Sequence, residues 1–287
     1  MQLSVVIPCY NGAETLAEQL QALSEQVWNQ PWEVVLADNG STDASLAIAE
    51  SFRDRLPSLT LVDASSKRGR PYACNEGAKA ARGASLTFID ADDVVAPGWL
   101  AALGTALEEF EFVAPRHDFE HLNSTDIRSS RKNAQGDGLQ NYVYPPFLPH
   151  AGGCGLSVRR ALHEEVGGFD EIVRILEDTD YCWRVQLAGH ELHFAYDALI
   201  YIRFRSDARS IYRQAKSYGE FNVLLYKRYR GKGMPPLSWK NGVAGWLRVA
   251  ETLPHLTNPT TRNRWLWQFG WRYGRLLGSL KYHVFAL

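Results

Sequence analysis

The apolar positions of the first ~95 residues follow two alternating periods. Short β-branched runs, SVVIP at 4–8 and WEVVLAD at 32–38, each give way to a turn rich in Asn and Gly, which reads as strand followed by loop. Between them Leu16, Leu20 and Leu23 recur at helical spacing. LTLVDA (59–64) and LTFID (86–90) predict two more strands, with helices near 43–55 and 71–81. Strands separated by helices imply right-handed crossovers and a parallel sheet. Ligands of such sheets gather at the carboxyl ends of the strands. CYNG, ADNGSTD and DADD each fall at such an end, so they are expected to line one crevice.

Farther along, residues 117–150 are polar, basic and punctuated by Gly and Pro, the composition of a mobile loop or lid. GGCGLSVRRALHEEVGGFDE (152–171) and ILEDTDYCWRVQLAGHE (175–191) follow, then a strand-like LHFAYDALIYIRFR (192–205). From Ser206 onward the pattern is mainly helical, basic and aromatic, interrupted by GKGMPP. No repeat or low-complexity segment is evident.

Composition adds one surprise. A chain of 287 residues, 45% hydrophobic and 22% charged, has ample material for a globular core. Its net charge of −1 conceals an asymmetry. Residues 203–287 carry 16 Lys and Arg against Asp207, Glu220 and Glu251, a net of +13, which leaves −14 for residues 1–202. Such a tail is expected to meet something anionic. No apolar run approaches the ~20 residues of a membrane span, and MQLSVVIPCYNG lacks the basic lead of a signal peptide. Cys9, Cys74, Cys154 and Cys182 are scattered without zinc-site or disulfide spacing, so they read as reduced thiols of a cytoplasmic protein.

The acidic clusters carry the candidate chemistry. Asp90 ends an apolar strand and Asp92 follows two residues later; in extended chain both side chains point the same way. Two hard oxygen ligands on one side suit Mg²⁺ or Mn²⁺. The alternative is an Asp-rich turn capping a helix that starts near Pro97. Ser41, Thr42 and Asp43 read as ordinary N-caps, whereas Asp38, at a strand end, is placed to accept a hydrogen bond from a nucleobase. Glu177 and Asp178 precede a helical run, where they serve as caps or as a general base for a hydroxyl.

Taken in order, SVVIPCYNGAETL, DNGSTD, RGRPYACNEGAKAARG, FIDADD, GGCGLSVRRALHEEVGGFDE and EDTDYCWRVQLAG resemble the family 2 glycosyltransferases over residues 3–205. The resemblance implies an α/β GT-A fold: a Rossmann-like, mostly parallel central sheet flanked by helices, here with a C-terminal helical extension. It divides the chain into a glycosyltransferase domain at 1–205, with a nucleotide-binding half (1–95) and an acceptor half (96–205), and an extension at 206–287. It implies an inverting, non-processive hexosyltransferase of cell-envelope polysaccharide synthesis. Such an enzyme moves one sugar from a UDP- or dTDP-sugar to a glycan or lipid-linked hydroxyl, with Mn²⁺ or Mg²⁺ on the diphosphate. By position, Pro8, Tyr10, Asp38 and Asn39 would contact base and ribose, and Arg70 base or phosphates. Asp90 would hold ribose and metal, with Asp92 and Asp93 completing the metal group. Gly152 and Gly153 would admit the sugar, with Asp178 as base and Glu177 beside it.

The chain departs from the family pattern in places. Asn39 replaces a frequent second acid, and Cys154 a frequent Asn. The position of a common metal-binding His falls on Ile202, so either the cation has fewer protein ligands here or Arg203 or Arg205 stabilises the diphosphate instead. The Q-x-x-R-W signature of processive synthases is absent, since TRNRW has Thr261 at the Gln position. Two other readings stay open. One is a non-catalytic nucleotide-sugar-binding protein of the same fold. The other is a sugar nucleotidyltransferase, although CYNGAETL lacks the basic N-terminal loop that reading needs. Walker A and dinucleotide fingerprints are missing. For 206–287 the alternatives are helices packed on the protein, or peripheral contact with an anionic membrane at the inner face of the cell. No nucleic-acid module accompanies the charge.

Overall fold

The computed structural model describes residues 2–129, 132–141, 146–205 and 207–286. The elements in chain order are β1 (Leu3–Cys9), α1 (Leu16–Ser24), β2 (Trp32–Asp38), α2 (Ser45–Ser51), β3 (Leu59–Asp63), α3 (Arg70–Ala80), β4 (Ser85–Phe88), β5 (Val94–Val95), α4 (Trp99–Glu109) and β6 (Phe112–Asp118). They continue with α5 (Thr125–Ser129), β7 (Leu156–Arg159), α6 (Arg160–Glu165), α7 (Glu177–Leu187), β8 (His193–Tyr201), α8 (Ala208–Tyr229), α9 (Trp239–Glu251) and α10 (Pro259–Tyr282). Among the described residues the strands form one sheet in the order β3-β2-β1-β4-β7-β6-β8-β5. The β3-β2-β1-β4 half is parallel, as the alternation of strands and helices predicts. Beyond β4 the sheet is mixed: β7 is antiparallel to both β4 and β6, β6 and β8 run parallel, and β5 is antiparallel to β8.

β1, β2 and β4 are buried on both faces, which explains why β1 and β2 read as continuous apolar runs. Leu3, Val5 and Ile7 pack with the apolar stripe of α1 and with Trp99, Leu100 and Leu103 of α4. Val6, Val35, Leu86 and Phe88 face the opposite layer, which includes Cys74 and Ala78 of α3 and Tyr181, Cys182 and Val185 of α7. A polar knot interrupts the apolar strands near their amino ends. The buried Glu33 carboxylate accepts from Ser4 Oγ (2.7 Å), Arg82 N (2.6 Å) and Arg82 Nε (2.9 Å). Those hydrogen bonds outweigh the burial that would raise its pKa and hold the carboxyl below its ordinary value. All four cysteines are free and buried.

The 117–150 segment differs from a loose lid. Gln135, fully buried, donates to Pro115 O (2.9 Å) and accepts from Gly152 N (2.8 Å) and Gln140 Nε2 (2.9 Å), while His117 N donates to Gln135 O (3.0 Å). One buried amide thus ties residues 134–140 to β6. Residues 130, 131 and 142–145 of the expected lid lie outside the described residues, as does Ser206, where the extension was expected to begin.

The chain separates into two compact units. The first comprises residues 1–121, 134–140 and 149–203; the second comprises 122–133, 141–148 and 204–287. In the second unit α8 and α10 run parallel with their backbones in contact. Gly270, Gly274 and Gly278 recur every four residues, opposite Tyr212, Lys216 and Glu220 of α8. A Cβ on Gly274 would lie 1.9 Å from Lys216 O, and one on Gly219 would lie 1.9 Å from Trp271 O. The seam closes around the buried Arg275 guanidinium, which donates to the buried Asn222 carbonyl. Gly274→Leu should therefore cost about 3 kcal/mol by overpacking, measured by urea unfolding. A loss below about 1 kcal/mol would contradict backbone contact at this seam.

Candidate active site

Three loops meet beyond the carboxyl ends of β1, β2 and β4, and each is braced by its neighbours. Asn11 sits at φ 51°, a left-handed conformation Asn tolerates. Its Oδ1 accepts from Thr42 N (2.8 Å) and its N–H donates to Ser41 Oγ (2.9 Å). Gly12 N donates to Ser45 Oγ (2.8 Å) and Ala13 N to Asp43 Oδ2 (3.0 Å). The expected N-cap role of Ser41 and Thr42 is thus corrected: α2 starts after Ala44 with no side-chain cap, and these residues join the β1 and β2 loops instead. Asp43 joins the same loops, and its Oδ1 also accepts from Ser45 N (3.0 Å) without serving as the N-cap of α2, which is Ala44.

Asp38 ends β2 nearly buried, its carboxylate accepting from Gly40 N (3.2 Å) and Ser41 N (3.1 Å). Gly40, at φ 81°, makes that tight return possible. Asn39 Nδ2 donates to Ala64 O (2.6 Å) and Lys67 O (2.8 Å), and its Oδ1 accepts from Gly69 N (2.9 Å). Its amide therefore shapes the approach to α3, and both amide hydrogens are used. Pro8 is half-buried in β1, and Tyr10 beyond it is 51% exposed with the Arg68 guanidinium 4.3 Å from its ring centroid.

The acidic loop differs from the extended chain assumed above. Residues 91–92 form a turn before β5, so alternation does not align Asp90 with Asp92. Asp90 is half-buried, Asp92 is exposed, and Asp93 is buried. Carboxylate oxygens of Asp90 and Asp93 and the Cys154 sulfur all lie within 4.8 Å of one another. A thiol is a soft donor that burial and the nearby acids hold well above its usual pKa, so it suits a hard cation poorly. Burial, then repulsion from Asp92 and Asp90, likewise raises the Asp93 carboxyl well above the ordinary range. Asp93 Oδ1 accepts from Arg203 N (2.7 Å), which makes it an anchor at the back of the turn. Asp90 is half-buried and Asp92 exposed, and their carboxylates are the hard oxygen donors that Mg²⁺ or Mn²⁺ takes.

Several residues that the sequence reading did not single out hold this turn. Thr15 Oγ1 donates to Ala91 O (3.1 Å), and Gln19 bridges Asp90 O (3.3 Å) and Val95 N (3.1 Å). Gln19 is fully buried on the face that carries Leu16, Leu20 and Leu23. A polar residue within an apolar stripe was the available signal. Arg203 donates from Nε to Asp92 O (2.9 Å) and pairs with Glu18. Its guanidinium thus clamps the acidic turn. Ile202, at the position of the common metal-binding His, packs against the apolar core.

Arg70 opens α3 and joins the two acidic groups. Its Nε donates to Asp90 Oδ1 (2.7 Å) and its Nη1 to Glu177 Oε1 (3.2 Å), while buried Nη2 has no partner among the described residues. Although burial opposes its charge, Asp90, Cys74 and Glu177 raise its pKa well above the usual value. Gly153 leaves room for this guanidinium: a Cβ there would lie 2.9 Å from both terminal nitrogens.

Glu177 and Asp178 begin α7 immediately after Leu176, whose φ of 62° is a strained conformation for a branched side chain. The turn presents both carboxyls at a helix amino end, where the helix dipole favours negative charge. Asp178 Oδ2 accepts from Gly153 N (2.9 Å) and Oδ1 from Thr179 N (2.6 Å). Burial raises both pKa values, the Glu177 carboxyl to about 8, against the lowering pull of Arg70. Gly152 N is held by Gln135, and a Cβ on Gly152 would lie 3.1 Å from the buried, neutral His117 ring, whose pKa burial lowers to about 4. The structure therefore groups Arg70, Asp90, Gly153, Glu177 and Asp178 by direct contact, with Asp92 and Asp93 on the same acidic turn and Asp38 and Tyr10 on the adjoining loops.

Comparison with known proteins follows this geometry. The model of Glycosyl transferase family 2 matches residues 4–167. An uncharacterized glycosyltransferase of Bacillus subtilis, YwdF, is 29% identical over 189 residues, covering 64% of this chain and 68% of that protein. Other curated relatives are matched over between 22% and 72% of their length. Among solved structures, S. aureus TarS 1-349 in complex with UDP-GlcNAc superposes with a TM-score of 0.57 at 17% identity, covering 100% of this chain and 93% of that one. The mannosyltransferase PcManGT from Pyrobaculum calidifontis, in complex with GDP-Man and Mn²⁺, superposes with a TM-score of 0.60 at 18% identity, covering 98% and 75%. At these identities the structural likeness concerns the fold.

Proposed function

This chain belongs to glycosyl transferase family 2, and from that premise we propose that it moves a single sugar from a nucleoside diphosphate sugar to an acceptor hydroxyl with inversion. The observation that carries the reading is the chain of contacts Asp90–Arg70–Glu177 beside Asp178, which joins a donor-side acid group to an acceptor-side one. Tyr10 and Asp38 receive the base, a pyrimidine by family resemblance, while Asn39 keeps the surrounding loop in shape. Asp90 and Asp92 hold Mn²⁺ or Mg²⁺, which when bound stabilises charge developing on the departing diphosphate. Arg70 adds a fixed positive charge through its unpartnered Nη2.

Asp178 takes the acceptor proton. Gly153 N and Thr179 N fix its carboxylate, and burial raises its pKa; a raised pKa makes it a stronger base near neutral pH. One base suffices when the hydroxyl attacks the anomeric carbon from the face opposite the diphosphate, so the carbon inverts. The acceptor is a glycan or lipid-linked hydroxyl, and the basic residues of 206–287 bring the enzyme to an anionic membrane. No helix among the described residues is long and apolar enough to cross one.

Thermal unfolding with UDP, dTDP and GDP, each with and without Mn²⁺, tests the donor side. A pyrimidine diphosphate should raise Tm only when Mn²⁺ is present. At a hundredfold excess over Kd the gain is about 2.7 kcal/mol. A metal-independent gain would contradict the assigned cation, and a preference for GDP would contradict the base.

A further inference from the structure

The second compact unit carries a helix face that its own packing leaves uncovered. On α9 the buried positions are Gly242, Gly245 and Val249. About a third of a turn away, Trp239, Val243 and Leu247 recur every four residues and are 61%, 48% and 59% exposed. Leu253, in the turn after the helix, is also exposed. Lys240 and Arg248 flank this stripe. Three residues before Trp239, the chain leaves a groove of about 650 Å³ lined by Lys227, Arg228, Arg230 and Lys232 together with Met234 and Pro236. No acidic side chain lines it.

We infer that α9 and this cationic groove form a docking surface for an anionic phospholipid bilayer, with the Trp239–Val243–Leu247 stripe entering the headgroup boundary and the groove receiving lipid phosphates. This deepens the reading of 206–287 as a membrane contact and does not depend on the transfer chemistry. An exposed apolar helical stripe ending in Trp and bordered by Lys and Arg is the pattern of an interfacial helix. The charge selects the occupant. Residues 203–287 carry a net +13, so a second copy meeting this face through its own α9 would bring like charge, whereas an anionic leaflet attracts it. Nucleic acid would satisfy the charge and leave the aliphatic stripe in water.

The test is co-sedimentation of the full chain with vesicles of equal parts phosphatidylglycerol and phosphatidylcholine, against pure phosphatidylcholine. Wild-type protein should bind the anionic vesicles more tightly, lose binding as salt rises, and show a blue shift in tryptophan emission that Trp239→Phe removes. Val243→Asp combined with Leu247→Asp should weaken binding at least about tenfold. Lys227→Gln, Arg230→Gln and Lys232→Gln should each weaken it about fivefold. All five positions are exposed, so unchanged Tm and unchanged hydrolysis of soluble donor confirm folding. Wild-type binding that survives every one of these changes overturns the assignment to α9 and the groove. Equal binding to neutral vesicles, no binding, or self-association through α9 overturns the bilayer as occupant.

Discussion

Asp178→Asn should lower kcat for sugar transfer about 10²–10⁴-fold, the range for loss of a positioned general base, while donor KM changes little. The amide still accepts from Thr179 N or Gly153 N, so the α7 turn keeps its shape, but it cannot take a proton. The pH profile gives a second signature. Burial raises the pKa of both Asp178 and Glu177, the latter to about 8 from 4.5. A base is active once deprotonated, so the wild-type rate should climb with pH along a limb displaced above the ordinary carboxylate range toward neutrality. In Asp178→Asn the residual rate should lose that limb. An unchanged kcat, or a limb retained in the variant, would show that another group takes the proton.

The second large effect is expected at the acidic turn. Asp90→Asn removes the negative charge that would hold the cation and that pairs with Arg70, leaving a neutral amide oxygen to accept from Arg70 Nε. It should abolish the Mn²⁺-dependent thermal shift with a nucleoside diphosphate and reduce kcat/KM about 10³-fold, comparable to removing one group that stabilises transition-state charge. Asp93→Asn is the informative contrast. Burial and the neighbouring acids push the Asp93 carboxyl toward its neutral form, and an Asn oxygen can still accept from Arg203 N. It should retain the metal response. Isothermal titration with Mn²⁺ and UDP separates the two; equal losses in both variants would contradict the division of labour between an open-side ligand and a buried anchor.

The parallel half of the sheet was legible because β1, β2 and β4 are buried on both faces and read as unbroken apolar runs. The other half was not. β7 is four residues long between a Gly-rich turn and two arginines. β6 contains Pro115, Arg116 and Asp118, which look like the start of a loop; its ladder with β8 shifts register between Pro115 and Arg116, where the proline interrupts it. β8 ends at Tyr201, short of the expected Arg205, because Arg203 turns to clamp the acidic loop. That contact joins residues 110 positions apart, a separation no local pattern encodes. Conversely, the Gly270–Gly274–Gly278 spacing was visible in the sequence, but a close approach needs a partner helix before the spacing has meaning.

At the site, the candidate acids were readable from their positions at strand and helix ends. Their inequality was not. Asp90, Asp92 and Asp93 are alike in sequence, yet a turn at 91–92 leaves one half-buried, one in solvent and one sealed in the interior. The roles of Asn39 and Gln135 were equally hidden, since an amide that reads a ligand and one that closes a loop have the same letter. What distinguishes them is whether backbone partners already surround the side chain.

The central claim is that Asp90 and Asp92 hold a divalent cation against the donor diphosphate within reach of Arg70 and Asp178. Diffraction at the manganese edge from crystals grown with UDP and Mn²⁺ tests it most directly. The account predicts an anomalous peak in contact with the Asp90 or Asp92 carboxylate and with phosphate oxygens. UDP bound with no manganese at that turn, or manganese bound elsewhere, would contradict it.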